Sequence, residues 1–141
     1  MKLHKAAFAV ITASIYVISC IAAIASDSGL AGNWKGESIC TIKDSPCHDE
    51  HVIYRVEEPD STGKLKIQMD KVVDGKPELM GTVNCAFDKA ASTVTCTTQR
   101  GVWKFTVTGK KMEGTLVLDD GRLYRRISVT QATNNKTNDS Q

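Results

Sequence analysis

Three features are missing from this sequence: a surplus of positive charge, a long apolar run beyond the first 25 residues, and any common catalytic motif. The chain has 18 Lys and Arg against 16 Asp and Glu, but Lys2 and Lys5 lie in an apolar leader, so residues 26–141 carry 16 charges of each sign. A neutral domain lacks the cations that displace counterions from phosphate, which argues against a nucleic-acid partner. Nothing beyond residue 25 is apolar for long enough to span a bilayer.

Catalytic signatures are missing as well. The sequence contains no G-x-S-x-G elbow, P-loop, dinucleotide-binding fingerprint or H-E-x-x-H pair. We therefore expect no enzymatic activity and no cofactor. No window shows an apolar stripe with the period of a helix, and residues 26–141 are enough for one hydrophobic core but not for two.

Residues 1–25 have the features of a signal peptide. A short basic segment precedes an apolar run, and Ala23 and Ala25 stand at the −3 and −1 positions of a cleavage site before Ser26. An alternative is a lipoprotein anchored through Cys20, because Val17-Ile18-Ser19-Cys20 loosely fits a lipobox; a third possibility is an uncleaved anchor. The residues after Cys20 stay apolar, unlike the polar tether of a lipoprotein. We therefore favour a soluble protein of the periplasm or the medium, which contacts a membrane only if Cys20 is lipidated.

Four cysteines follow the leader, and an even number in a small exported domain predicts two disulfides. Of the three possible connectivities, the strand assignment given next favours the local one, Cys40–Cys47 with Cys85–Cys96. The alternative is a zinc site, but the spacings lack the paired C-x2-C knuckles that such sites use.

Segments rich in Val, Ile, Thr and aromatic residues recur about every ten to twelve residues, with turn residues between them. They predict eight strands, over residues 32–41, 47–58, 64–73, 78–87, 92–99, 102–108, 112–118 and 122–130. Short connections favour antiparallel neighbours, and eight such strands can close into a barrel without exposed edges. We therefore predict an all-β, antiparallel up-and-down eight-stranded β-barrel over residues 30–130. A disordered polar tail follows over residues 131–141.

The cysteine pairing agrees with a simple hairpin register. If the turn lies at residues 90–91, Cys85 faces Cys96 and Phe87 faces Val94, and directly opposed cysteines can bridge. Alternation along each strand also gives one inward face. Its members are Trp34, Gly36, Ser38, Val52, Tyr54, Val56, Leu65, Ile67, Met69, Gly81, Val83, Phe87, Trp103, Phe105, Val107, Met112, Leu116, Leu118, Leu123, Arg125, Ile127 and Val129.

Gly32-Asn33-Trp34 at the start of the first strand, together with Arg125 in the last, resembles the calycin pattern of lipocalins, fatty-acid-binding proteins and avidins. In that pattern the tryptophan closes one end of the barrel and a late arginine packs across it. The resemblance implies a small secreted bacterial β-barrel in which Trp34 touches Arg125, or Arg126 if the register is shifted by one. The short N-terminal helix and the long C-terminal helix of lipocalins are not evident.

The function implied by this resemblance is non-enzymatic binding of a small apolar or amphipathic ligand inside the barrel. The residues expected to contact the ligand are Trp34, Ser38, Tyr54, Trp103 and Arg125. The alternative is that Trp34, Tyr54, Trp103 and Phe105 fill the barrel as core, and we favour this because short strands enclose little volume.

The motif His48-Asp49-Glu50-His51 is the densest cluster of possible metal ligands. On a strand, His48 and Glu50 point to one face while Asp49 and His51 point to the other, so we expect no metal site. Glu50 has inward parity and could partner Ser38 or Arg125; a solvated position at the barrel rim is the alternative.

A second resemblance gives a different function. Leu30-Ala31-Gly32-Asn33-Trp34 is similar to the start of the bacterial metalloprotease inhibitors, small periplasmic barrels whose flexible N-terminal segment enters the protease cleft. Residues 26–30 would take that role toward an envelope protein, although the second disulfide and the longer chain depart from that family. A structural module of the envelope without a ligand is a third possibility. The expected oligomeric state is a monomer.

Overall fold

The structure, a computed structural model, describes residues 27–133 and shows eight antiparallel strands closed into a barrel. The strands are β1 (Gly32–Cys40), β2 (Glu50–Val56), β3 (Lys64–Val73), β4 (Lys76–Asp88), β5 (Thr93–Thr98), β6 (Gly101–Thr108), β7 (Lys111–Leu118) and β8 (Leu123–Gln131). The predicted all-β up-and-down barrel is confirmed, and no strand end lies more than three residues from its predicted position. The leader, Cys20 and residues 134–141 of the predicted tail lie outside the described residues. Within residues 27–133, no helix is long and apolar enough to cross a membrane.

Each strand pairs with its neighbour in sequence, and β1 also pairs with β8 to close the barrel. The up-and-down order places the connections alternately at two ends. The β1–β2, β3–β4, β5–β6 and β7–β8 connections share one end, which we call the open end. The remaining connections share the other end with residues 27–31, and we call it the closed end.

Turn residues hold the hairpins in register. Asp74 and Gly75 both have positive φ angles, 50° and 76°, which is the backbone of the tight turn that joins two twisted strands. Between β2 and β3, Asp60 Oδ1 accepts hydrogen bonds from the Thr62 hydroxyl (2.7 Å) and from the backbone N–H groups of Thr62 and Lys64. These bonds hold the pKa of the Asp60 carboxyl below its ordinary value. The β2–β3 pairing then runs without a break, whereas the β3–β4 pairing shifts by one residue between Met69 and Asp70.

The core lies on the predicted inward face and fills the half of the barrel nearest the closed end. Trp34, Tyr54 and Phe105 are fully buried. The Trp34 indole donates a hydrogen bond from Nε1 to Leu30 O (2.8 Å), and the Leu30 side chain is 1% exposed. Gly114 is needed beside the core, because a Cβ at this position would collide with the Phe105 ring.

Both predicted disulfides are present. Cys40–Cys47 closes the β1–β2 connection with Cα atoms 5.9 Å apart, and Cys85–Cys96 joins β4 to β5 with Cα atoms 4.1 Å apart. The predicted hairpin register is confirmed as well, because the residue pairs between β4 and β5 follow it. These four thiols are therefore not free to ligate zinc, and two disulfides are typical of a protein from an oxidising compartment.

The predicted contact between Trp34 and Arg125 is wrong. β1 and β8 pair so that Arg125 lies opposite Cys40, whereas Trp34 lies opposite Gln131. The six residues of strand from Trp34 to Cys40 span about 20 Å, at about 3.3 Å per residue. Arg125 therefore lies toward the open end and Trp34 toward the closed end, and the exposed Arg126 points out of the barrel. The error is in the stagger between the first and last strands, which alternation does not determine.

Candidate functional site

A cavity of about 990 Å³ opens at the open end of the barrel. Its apolar wall consists of Met69, Met80, Val83, Trp103, Leu116 and Leu118. The prediction that aromatic side chains fill the barrel is therefore wrong for this half, since Trp103 is only half-buried and faces the cavity. The volume is at the upper end of the range of small-molecule sites, about 300–1,000 Å³.

One side of the cavity is the seam between β4 and β5. Within the described residues, three pairs join these strands, from Ala86–Thr95 to Asp88–Thr93, and the Cys85–Cys96 bridge stands at the end of this ladder. Beyond the bridge toward the open end the two strands no longer pair, and residues from both of them line the cavity. The disulfide therefore holds the closed-end half of the seam together and leaves the other half free of pairing.

Arg125 is the centre of a polar cluster in the cavity wall. Its Nη1 group donates hydrogen bonds to Ser38 O, Ser38 Oγ and His48 O, each 3.2 Å long. The Glu50 carboxylate lies 3.5 Å from the same nitrogen. The barrel register explains the meeting, because Ser38 pairs with Glu50 on β2 and with Ile127, two residues from Arg125, on β8. The buried cation thus has a carboxylate and several oxygen acceptors, which a guanidinium in an apolar wall requires.

The Tyr54 hydroxyl lies beside this cluster without a partner. Among the buried side-chain polar atoms of residues 27–133, it alone makes no hydrogen bond. Burial raises the pKa of Tyr54 far above its ordinary value; the Arg125 charge and the nearby Ser38 hydroxyl oppose this rise, and the Glu50 charge adds to it. Although Ser38 is near, its hydroxyl does not meet hydrogen-bond geometry with Tyr54 and accepts from Arg125 instead. A buried polar group left unpaired costs about 1–3 kcal/mol, so this one calls for an explanation.

The motif His48-Asp49-Glu50-His51 does not converge on one point. Asp49 Oδ1 accepts a hydrogen bond from the backbone N–H of Cys40 (2.9 Å), and His51 Nδ1 lies 3.9 Å from the Glu37 carboxylate on the outer surface. Of the four side chains of the motif, that of Glu50 lines the cavity inside the barrel. In the part of the chain that the structure describes, no group of three or more His, Cys, Asp or Glu is arranged to hold a metal ion.

Four of the five residues predicted to contact a ligand line the cavity: Ser38, Tyr54, Trp103 and Arg125. The fifth, Trp34, lies at the closed end. The aromatic ring near the Arg125 guanidinium is that of its neighbour Tyr124, whose centroid is 5.5 Å away. The structure thus brings together the members of the predicted set that lie toward the open end.

Sequence reasoning left several lining residues out of that set. Met69 and Leu116 were on the predicted inward face. Their position near the connections of the open end was the signal that could have placed them among the predicted ligand contacts. Arg100 and Asp119 line the mouth from turns, where alternation carries no information. Their places depend on how far each hairpin extends relative to the next.

Comparison with known proteins assigns the chain to no family. No protein-family model and no curated protein sequence matches it. The closed eight-stranded barrel agrees with the architecture that the calycin resemblance implies.

Proposed function

We propose that the protein is an exported, non-enzymatic binding protein that holds one small apolar or amphipathic molecule in the cavity at the open end. The observation that carries the proposal is the cavity of about 990 Å³ with an apolar wall and a few convergent polar groups. That composition is usual for small-molecule sites. The unpaired Tyr54 hydroxyl supports it, because a polar group on the ligand can supply the partner that the protein does not.

Export is supported by two features of the chain. Residues 1–25 have the pattern of a cleavable signal peptide, and lipidation at Cys20 is the alternative processing. The two disulfides suit the periplasm or the medium. We therefore place the ligand in the cell envelope or outside the cell, with a monomer as the binding unit.

The N-terminal segment favours ligand binding over protease inhibition. Gln131 Nε2 donates hydrogen bonds to Gly29 O (3.0 Å) and Ala31 O (2.9 Å), and Leu30 is buried against Trp34. An inhibitor that inserts this segment into a protease would first have to release these bonds and expose Leu30. Among residues 27–133, no segment covers the open end in this way, and the cavity lies there.

Native mass spectrometry of the full chain purified from its own cells tests the proposal. We expect a mass above that of the oxidised polypeptide, because a bound molecule is retained. Extraction with organic solvent should remove this excess mass. The extracted protein should then take up Nile red, an uncharged apolar dye, with a rise in fluorescence.

Two variants locate the dye. Val83→Trp places a large ring in the cavity wall and should lower the affinity for the dye at least about tenfold, whereas Val102→Trp, on the outer surface, should not. A wild-type protein that carries no molecule and takes up no dye would refute the proposal. Uptake that Val83→Trp leaves unchanged would place the binding site elsewhere.

A further inference from the structure

The charges beside the cavity are balanced at the Arg125–Glu50 pair. The two side chains are 10% and 15% exposed, so both charges belong to the cavity wall and are poorly screened by solvent. The other charged lining residues, Arg100, Asp119 and Asp120, are exposed at the mouth. A molecule whose polar end reaches the wall therefore meets one positive and one negative group together.

Several hydrogen-bond donors and one acceptor of the Arg125–Glu50 region have no partner among the described residues. Within the described residues, every hydrogen bond of the Arg125 guanidinium uses Nη1, so Nε and Nη2 have no protein acceptor. The Tyr54 hydroxyl is a further donor without an acceptor. Glu50 faces Arg125 through Oε2, which leaves Oε1 to accept a hydrogen bond from elsewhere.

We propose that the ligand has an uncharged head group that both donates and accepts hydrogen bonds, a hydroxyl or a primary amide, and that Glu50 selects against a carboxylate. This inference rests on the proposed function. A hydroxyl beside the pair accepts from Arg125 or Tyr54 and donates to Glu50, so a free donor and the free acceptor both gain a partner. A carboxylate in the same place lies next to the Glu50 carboxylate, and an ammonium lies next to the Arg125 guanidinium. A charged head group of either sign is therefore repelled by the like charge of the pair, and solvent screens this repulsion poorly because the wall is mostly buried.

Binding of three molecules of equal chain length to the full oxidised chain tests the inference. Dodecanol, dodecanamide and dodecanoate share one apolar tail and differ in the head group, and each can be titrated against bound Nile red at neutral pH. We expect the alcohol and the amide to bind at least about tenfold tighter than the carboxylate.

A variant in β2 and a control just past its other end assign the preference to Glu50. Glu50→Gln removes the negative charge and leaves Arg125 without a carboxylate partner, so the preference for the uncharged molecules should fall at least about tenfold or reverse. Glu57→Gln, an exposed position just past the other end of β2, should leave the preference unchanged.

The outcomes separate this inference from the function on which it rests. Dodecanoate binding as tightly as dodecanol would overturn the inference and leave the binding function standing. A preference that Glu50→Gln does not alter would overturn the role of Glu50. If none of the three molecules binds and Nile red does not either, both the inference and the proposed function fail.

Discussion

Substitution of Tyr54 tests whether its unpaired hydroxyl belongs to a binding site or is a packing defect. Within residues 27–133 this buried oxygen has no hydrogen-bond partner, so Tyr54→Phe should raise the free energy of unfolding by about 1 kcal/mol. The same variant should bind dodecanol more weakly, because the ligand loses a donor. Urea unfolding and dye displacement measure the two effects. Tyr124→Phe, at a half-exposed tyrosine, is the control and should change stability by less than about 0.5 kcal/mol. A destabilised Tyr54→Phe would show that the hydroxyl is already bonded.

Burial of Tyr54 also predicts a loss of stability at alkaline pH. Folding raises the pKa of this phenol, because burial disfavours its charged form. In the unfolded chain a tyrosine loses its proton near pH 10, so above that pH the folded state binds more protons. The contribution is fully present below about pH 10 and is lost at higher pH, by up to about 1.4 kcal/mol per pH unit. Wild type should therefore lose more stability than Tyr54→Phe between about pH 9.5 and 11.5 in urea titrations. Parallel curves for the two proteins would contradict the prediction.

The seam between β4 and β5 is the weakest part of the barrel wall. Three residue pairs and the Cys85–Cys96 bridge hold it, whereas β6 and β7 pair over their whole length. The bridge closes a loop of 11 residues, so replacing both cysteines by alanine should lower the free energy of unfolding by about 3 kcal/mol. Alanine is chosen because both cysteines are buried and serine would bury a hydroxyl.

Removal of the other bridge provides the comparison. Cys40 and Cys47 close a loop of 7 residues at the open end, where Cys40 also pairs with Arg125 on β8. Both double variants should lose stability in urea, but the Cys85→Ala, Cys96→Ala protein should show the larger change in affinity for Nile red, because its bridge supports a ladder of three residue pairs, whereas Cys40 keeps its pairing with β8. Equal effects on the affinity would mean that the seam has no special part in binding.

The strands themselves follow from local chemistry. Alternation over β3 is encoded by neighbouring residues, and sequence reasoning therefore placed Leu65, Ile67 and Met69 on the inward face. The Cys85–Cys96 pairing was predictable for the same reason, because one turn position fixes a hairpin register. The extension of β4 beyond β5 was not predictable, since each strand length depends on pairing with its other neighbour.

Closure of the barrel depends on the stagger between the first and last strands, which no local sequence pattern determines. The stagger between β1 and β8 places Arg125 opposite Cys40 and so moves it away from Trp34. Parity correctly put Arg125 inside, but the depth at which it lies comes from the sum of offsets around the barrel. The same stagger brings Arg125 to Glu50 and Tyr54, so the polar side of the cavity arises from long-range geometry. The stagger between β1 and β8 therefore places Trp34 in the filled half of the barrel and Arg125 in the half that contains the cavity.

The two tryptophans test this division. Trp34 is fully buried at the closed end, so Trp34→Ala should lower the free energy of unfolding by about 3–5 kcal/mol and leave the affinity for Nile red unchanged. Trp103 is half-buried, stacks on Phe105 with ring centroids 6.2 Å apart, and faces the cavity. Trp103→Ala should therefore cost less stability than Trp34→Ala but weaken dye binding at least about tenfold. Urea unfolding and dye titration on both variants measure the two effects. A Trp34→Ala protein that keeps its stability and loses binding would mean that the ligand reaches the closed end, and that the barrel is a single continuous site.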